Sequence, residues 1–454
     1  MKISKVMKGM FRISSFLCFL LITGLVQAQN GSEIKELMVD GIKVIYKQVP
    51  KEIISVRLFI NGGTSNYSLA QQGIENFAFN LAVSGGTRSM DKTAFSTEIE
   101  RLGTTIEGSS GIEYGQFNML CIRPSWDKSW QLFADAILNP AFDEGQFTIL
   151  KEQLVAEAKQ AASDPDSRIA QAAMENIFKG MDYEKDPGGT ETSLSALTRE
   201  DVVNYYQKIV GKKRAMLVVV GNVDLNDLKR KISETLSKLP AGKEAPEVQQ
   251  ITWNQPSNMI ENREIATNYI RGYMNSPKLS EKDGIPMMIA MDILHDRLWI
   301  EIRTKRGLSY APAAFVPSSI IDNPYSVIYV STTDPKQSIK VMVDEVSKLK
   351  REGFEESELI NKKQTFLTEY LMQQETLGAQ SASLGQSELK GGWEISDRFT
   401  ELVNAVTLED INRVIDKYSD VISWTYLGKE SAITEEDFLQ PGQTPKDAKI
   451  DAER

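Results

Sequence analysis

Polar and apolar positions change rhythm several times along this chain, and each change predicts an element. Residues 34–47 read as two short strands around a turn at Asp40-Gly41. Residues 55–60 contain the alternating run V-R-L-F-I and stop at Gly62-Gly63, the pattern of a strand closed by a turn. From Gly73 the period lengthens. G-I-E-N-F-A-F-N-L-A-V-S-G-G-T, residues 73–87, reads as the first turns of an amphipathic helix. Residues 92–103 form a second helix ending on a glycine cap. Residues 105–107 and 116–122 predict a hairpin, residues 129–138 a helix stopped by Asn139-Pro140, and residues 144–162 a longer helix broken at Asp164-Pro165. Helix resumes over 167–178. Thr198 and Asp201 fit a capping box before the next helix. M-L-V-V-V, 216–220, is a buried strand, and 226–239 a last amphipathic helix.

The pattern then repeats. Phe354-Glu355-Glu356 opens a helix as Phe142-Asp143-Glu144 does, 212 positions earlier, and 359–369 aligns with 147–157 at the same offset. Thr407 and Asp410 repeat the Thr198 and Asp201 box at an offset of 209. Residues 268–274, 286–303 and 424–428 match the strand at 55–60, the helix from 73 and the strand at 216–221. Near-constant offsets imply an internal duplication. Helices and strands alternating without a strict βαβ rhythm predict an α+β roll in each half. The expected organisation is a leader at 1–28, a first domain at 30–240, a polar linker at 241–262 marked by Pro246 and Pro256, a second domain at 263–435, and a polar tail at 436–454.

Composition narrows the function classes. Lys2, Lys5, Lys8 and Arg12 precede an apolar run at 16–26 and small residues near Ala28, which predicts a secretory signal peptide and an exported, periplasmic or secreted protein. The apolar run is too short for a membrane span. The flanks of Cys18 do not resemble a lipidation box. Residues 1–28 hold four basic and no acidic side chains, so the remaining 48 Lys and Arg against 62 Asp and Glu give −14. That charge argues against nucleic acid as a partner. Cys121 stands alone after cleavage and reads as a packed thiol.

The chemistry lies in residues 73–87. A zinc-hydrolase helix of the form H-x-x-E-H sets two imidazoles on one face beside a carboxylate that takes a proton from metal-bound water. Here the frame survives as Gly73, Ile74, Gly86 and Thr87. The ligand positions are Asn76 and Asn80 and the base position is Phe79. An amide oxygen is a poor zinc ligand and a phenyl ring accepts no proton. The stretch resembles the zinc helix of peptidase family M16, the pitrilysin, insulysin and mitochondrial-processing-peptidase group, with its metal chemistry removed. Two further pieces support the resemblance. L-V-A-E-A, 154–158, resembles the family stretch that carries a third zinc ligand, which places Glu157 at that position. E-I-R-T-K-R-G-L-S-Y, 301–310, resembles the second-domain motif whose Arg and Tyr hold substrate, here Arg303 and Tyr310. His295, the sole histidine, has no partner ligands at metal spacing and reads as a helix residue.

The resemblance implies two homologous rolls forming a clam-like half chamber. It also implies no metal and no catalytic residue in this chain, a heterodimeric partner subunit carrying H-x-x-E-H and the zinc, and a peptide substrate that Arg303 and Tyr310 help to bind. The alternative is a peptide-binding or scaffolding protein with no part in proteolysis.

Overall fold

A computed structural model describes residues 33–443; the expected leader and the end of the expected tail lie outside them. The first half runs β1 (Ile34–Val39), β2 (Ile42–Gln48), β3 (Ile53–Asn61), α1 (Ile74–Ser84), α2 (Lys92–Leu102), β4 (Thr105–Ser110), β5 (Tyr114–Ile122), α3 (Trp126–Leu138), α4 (Glu144–Ser163), α5 (Pro165–Ile177), α6 (Arg199–Ile209), β6 (Ala215–Gly221) and α7 (Leu225–Glu234). The second runs β7 (Met259–Asn262), β8 (Asn268–Asn275), α8 (Gly284–Leu298), β9 (Ala313–Phe315), β10 (Tyr325–Thr332), α9 (Pro335–Glu352), α10 (Glu356–Gln373), α11 (Leu377–Leu389), α12 (Leu408–Tyr418) and β11 (Ser423–Gly428).

Each half builds one mixed sheet. The orders are β1-β2-β6-β3-β5-β4 and β7-β11-β8-β10-β9. In the first, only β2 and β6 run parallel; in the second, only β7 and β11 do. Removing β1 superimposes the two orders, so the duplication read from the offsets is a duplication of topology. The fold is α+β, as expected. Both capping boxes form: Thr198 and Thr407 accept from the backbone N–H three residues on, and Asp201 and Asp410 reach back. β6 is buried along its whole length, as its unbroken apolar run requires.

The halves exchange helices. α5 packs on β8 and β11 of the second sheet, where Asn176 Nδ2 donates to Thr425 Oγ1 at 3.1 Å and to Trp424 O at 3.3 Å. α11 packs in return on β3 and β6. There Ser381 Oγ lies 2.8 Å from Ser55 Oγ, and a Cβ on Gly385 would come within 2.1 Å of the Phe59 ring. Glycine at 385 is what lets the helix lie flat on the sheet.

Four boundaries differ from the sequence reading. Residues 259–262 of the expected linker are strand β7, because pairing with β11 satisfies their backbone. Within the rest of the linker, Val248, Ile251 and Trp253 pack against a buried cluster, so it is held to the body. The expected tail starts late: Phe438 is 2 % exposed and stacks on Trp424. The helix expected over 226–239 ends at Glu234, and Leu236–Lys238 is a 3-10 turn. No helix among the described residues is long and apolar enough to cross a membrane.

Candidate functional site

α1 starts from Gly73, which sits at φ 85 and so needs no side chain. Phe77, Ala78, Leu81 and Ala82 turn into the core. Asn76 and Asn80, one turn apart, stay half-buried on the same face. They bond each other: Asn80 Nδ2 donates to Asn76 Oδ1 at 3.0 Å and to Asn76 O at 2.9 Å. The amide oxygen that a metal would need is thereby engaged.

Phe79 leaves that face altogether. It is fully buried, with its ring centroid 4.6 Å from Phe117 and 6.1 Å from Tyr206. A Cβ on Gly115 would lie 2.2 Å from its Cε2, so β5 carries glycine where the ring needs room. Its neighbour Glu75 is also fully buried, accepting from Ser110 Oγ at 2.8 Å, Asn66 Nδ2 at 3.1 Å and the Tyr205 hydroxyl. Burial raises the pKa of Glu75, and these three donors and nearby Arg214 oppose it. Glu157, on α4, is exposed and makes no hydrogen bond or ion pair with Asn76 or Asn80. The donor set is therefore two mutually bonded amides and one solvated carboxylate. It does not fit catalytic zinc, which takes three imidazole, carboxylate or thiolate ligands and keeps a fourth position open for water. Among the described residues no group of three or more His, Cys, Asp or Glu stands where it could hold a metal ion.

Arg303 and Tyr310 come together at the end of α8. The helix widens into a π turn at Trp299–Thr304, in which Lys305 N bonds Ile300 O at 2.9 Å. Such turns are short, and many lie at functional sites. Gly307 then takes φ 62 and turns the chain back. The result is a stack. The Arg303 guanidinium lies 4.1 Å from the Trp299 ring centroid and 4.2 Å from that of Tyr310. Tyr310 is 79 % exposed and Trp299 37 % exposed. The Arg303 side chain makes no hydrogen bond or ion pair with another described residue, so its planar set of N–H donors remains available.

Two profiles cover most of this chain. "Insulinase (Peptidase family M16)" matches residues 43–190, and "Peptidase M16 inactive domain" matches 196–366. The chain belongs to peptidase family M16. An "Uncharacterized zinc protease" of Rickettsia felis is 23 % identical over 398 residues, which span 86 % of this chain and 96 % of that one. A "Non-peptidase homolog YmxG" of Helicobacter pylori is 19 % identical over 427 residues, 89 % of this chain and 96 % of its own. A solved peptidase M16 inactive domain from Pseudomonas fluorescens shares the fold with a TM-score of 0.78 at 16 % identity, covering 87 % of this M16 chain and 98 % of that one.

Sequence reasoning missed three residues of this M16 chain. Trp299 completes the stack; its signal was the spacing of four from Arg303 on one helix face. Glu75 and Glu113 are buried carboxylates with no local signal, because their partners come from far along the chain. Glu113, at the β4–β5 turn, accepts from Ile321 N at 2.5 Å, Asp322 N at 2.6 Å and the Tyr183 hydroxyl, joining the halves. His295 is a helix residue whose Nδ1 accepts from Ala314 N at 3.4 Å. Cys121 is buried, and burial pushes its thiol up to about 11.

Proposed function

We propose that this chain is an exported, non-catalytic M16 subunit that supports peptide hydrolysis by a zinc-bearing partner, to whose active site it lends Arg303 and Tyr310. The observation that carries this reading is the exposed stack: a guanidinium with available donors, clamped between two rings, in a chain whose zinc-helix positions do not fit the metal. A fixed guanidinium suits a peptide backbone or terminal carboxylate. A phenol aimed at a carbonyl oxygen stabilises the negative charge that develops there. The basic, apolar start of the sequence supports export.

The test mixes the purified chain with an M16 subunit carrying H-x-x-E-H and follows cleavage of a peptide library. Activity is expected in the mixture and not in this chain alone. Arg303→Ala and Tyr310→Phe are each expected to lower it about a hundredfold, the scale of a lost oxyanion donor, with melting temperature unchanged. Failure to associate, or full activity in both variants, overturns the reading and leaves a peptide-binding protein outside proteolysis.

A further inference from the structure

A hollow of about 510 Å³ opens on the first half, between the C-terminal end of α3, helix α6 and residues 238–240. Its floor is apolar in part. Leu138 and Val203 line it with Tyr206, whose hydroxyl is engaged on Ile137 O at 2.7 Å, which leaves the ring as its contribution. Its edge carries Arg88, Arg199 and Lys238. No aspartate or glutamate lines it, although the chain has a formal net charge of −10.

Several surface cations of this chain are paired with neighbouring carboxylates. Arg101 pairs with Glu98, Arg230 with Asp227 and Glu234, and Arg398 with Glu401. The three around the hollow are not. Neither Arg88 nor Lys238 makes a side-chain hydrogen bond or ion pair with another described residue. Arg199 is held through Nε alone, which donates to Phe142 O at 2.5 Å, and its terminal nitrogens have no such partner. That bond fixes the guanidinium on a rigid corner. Phe142 takes φ 47, a conformation rare outside glycine, and its ring stands edge-on to Tyr206 at 5.1 Å. Three like charges brought together repel one another unless an anion lies among them.

We propose that this hollow binds an organic carboxylate with an apolar body of about ten carbon atoms, a fit for a pocket of several hundred Å³. The carboxylate sits among Arg88, Arg199 and Lys238, where a guanidinium presents paired donors to its two oxygens. The apolar body lies along Leu138, Val203 and Tyr206. A bare inorganic anion leaves that floor wet, and an uncharged amphiphile leaves the cations uncompensated. The carboxylate has two sources, a free aliphatic acid or the C-terminus of a peptide ending in an apolar residue. The site uses none of the residues of the Arg303 stack and stands independently of the function proposed above.

The experiment is calorimetric titration of the full chain with decanoate, decanol and decyltrimethylammonium, and with a hexapeptide ending in Phe as free acid and as amide. Binding is expected for decanoate, for the free-acid peptide, or for both, and for none of the uncharged, cationic or amidated compounds. Decanoate alone assigns the hollow to free acids; the free-acid peptide alone assigns it to peptide C-termini. Arg88→Gln with Lys238→Gln, both exposed positions, is expected to weaken binding about tenfold or more with the melting temperature held. Val203→Trp fills the hollow and is expected to abolish binding. The proposal is overturned if neither carboxylate binds, if decanol binds as tightly as decanoate, or if the double variant keeps its affinity.

Discussion

α1 and α8 hold the same place in the two halves, and they have gone opposite ways. Along α1 the polar side chains are turned on one another. Asn80 bonds Asn76, and Glu75 is closed in by Asn66, Ser110 and Tyr205. At the end of α8 the π turn and Gly307 bring Trp299, Arg303 and Tyr310 into a stack whose donors stay available. A duplicated frame fixes where a side chain can stand. The neighbours decide whether it is consumed by the fold or left for another molecule. In α1 the aromatic wall of Phe117 and Tyr206 has taken over the position where the zinc helix carries its base.

The strongest way to break this comparison is to restore the lost base. Phe79→Glu puts a carboxylate into a fully buried site shaped by Gly115 and lined by rings. Losing the ring costs about 3–5 kcal/mol, and an unpaired buried carboxylate adds to that or takes up a proton. The expected loss is at least about 4 kcal/mol in urea unfolding. Adding Asn76→His and Asn80→His is expected to give no zinc-dependent peptide cleavage. A triple variant with the original unfolding midpoint and bound zinc would show that α1 is only lightly altered from a working site.

The two regions also differ in how legible they were. The zinc-helix frame, the Arg303 and Tyr310 spacing and both capping boxes are local patterns, and each can be read from fifteen or fewer consecutive residues. The offsets near 210 revealed the duplication for the same reason: it preserves local order. The rest depends on pairs that sequence order hides. Glu75 meets Tyr205 and Glu113 meets Asp322 across about half the chain or less, with nothing at either end to announce it. The exchange of α5 and α11 is invisible because an amphipathic helix shows which face it buries and not whose sheet it covers. Strand β7 hides within a linker pattern because four residues beside a proline-rich stretch carry too little period.

The comparison also assumes that the halves stay in register, and Glu113 tests this. Burial pushes its carboxyl up to about 7, against the Tyr183 hydroxyl and the N–H groups of Asp322 and Ile321. The folded pKa is raised, so the folded state holds the extra proton. Its stabilisation is complete below the ordinary carboxyl value of 4.5 and is lost as pH rises to about 7. That interval corresponds to about 3 kcal/mol. Glu113→Gln cannot titrate. Across pH 4.5 to 7 the wild type is expected to lose about 3 kcal/mol relative to this variant, read from paired urea curves. Parallel curves at every pH would show that the carboxylate is already ionised and that its three donors outweigh its burial.

The smallest effect belongs to the amide pair, and it separates a consumed site from a kept one. Asn80→Ala removes a side-chain bond and a second contact to the Asn76 carbonyl, a net loss of about 0.5–1.5 kcal/mol. It also replaces a weak helix former by the best one, which returns about 0.6 kcal/mol. The sum is a loss of about 0.5 kcal/mol, near the limit of urea unfolding. In the partner-subunit assay the same variant is expected to keep full activity, because its amide is bonded within its own helix, whereas Arg303→Ala keeps stability and loses activity. If Asn80→Ala instead matches Arg303→Ala, stable and inactive, then α1 still contacts substrate through its amides. The two helices would then have diverged in chemistry while both kept a binding role.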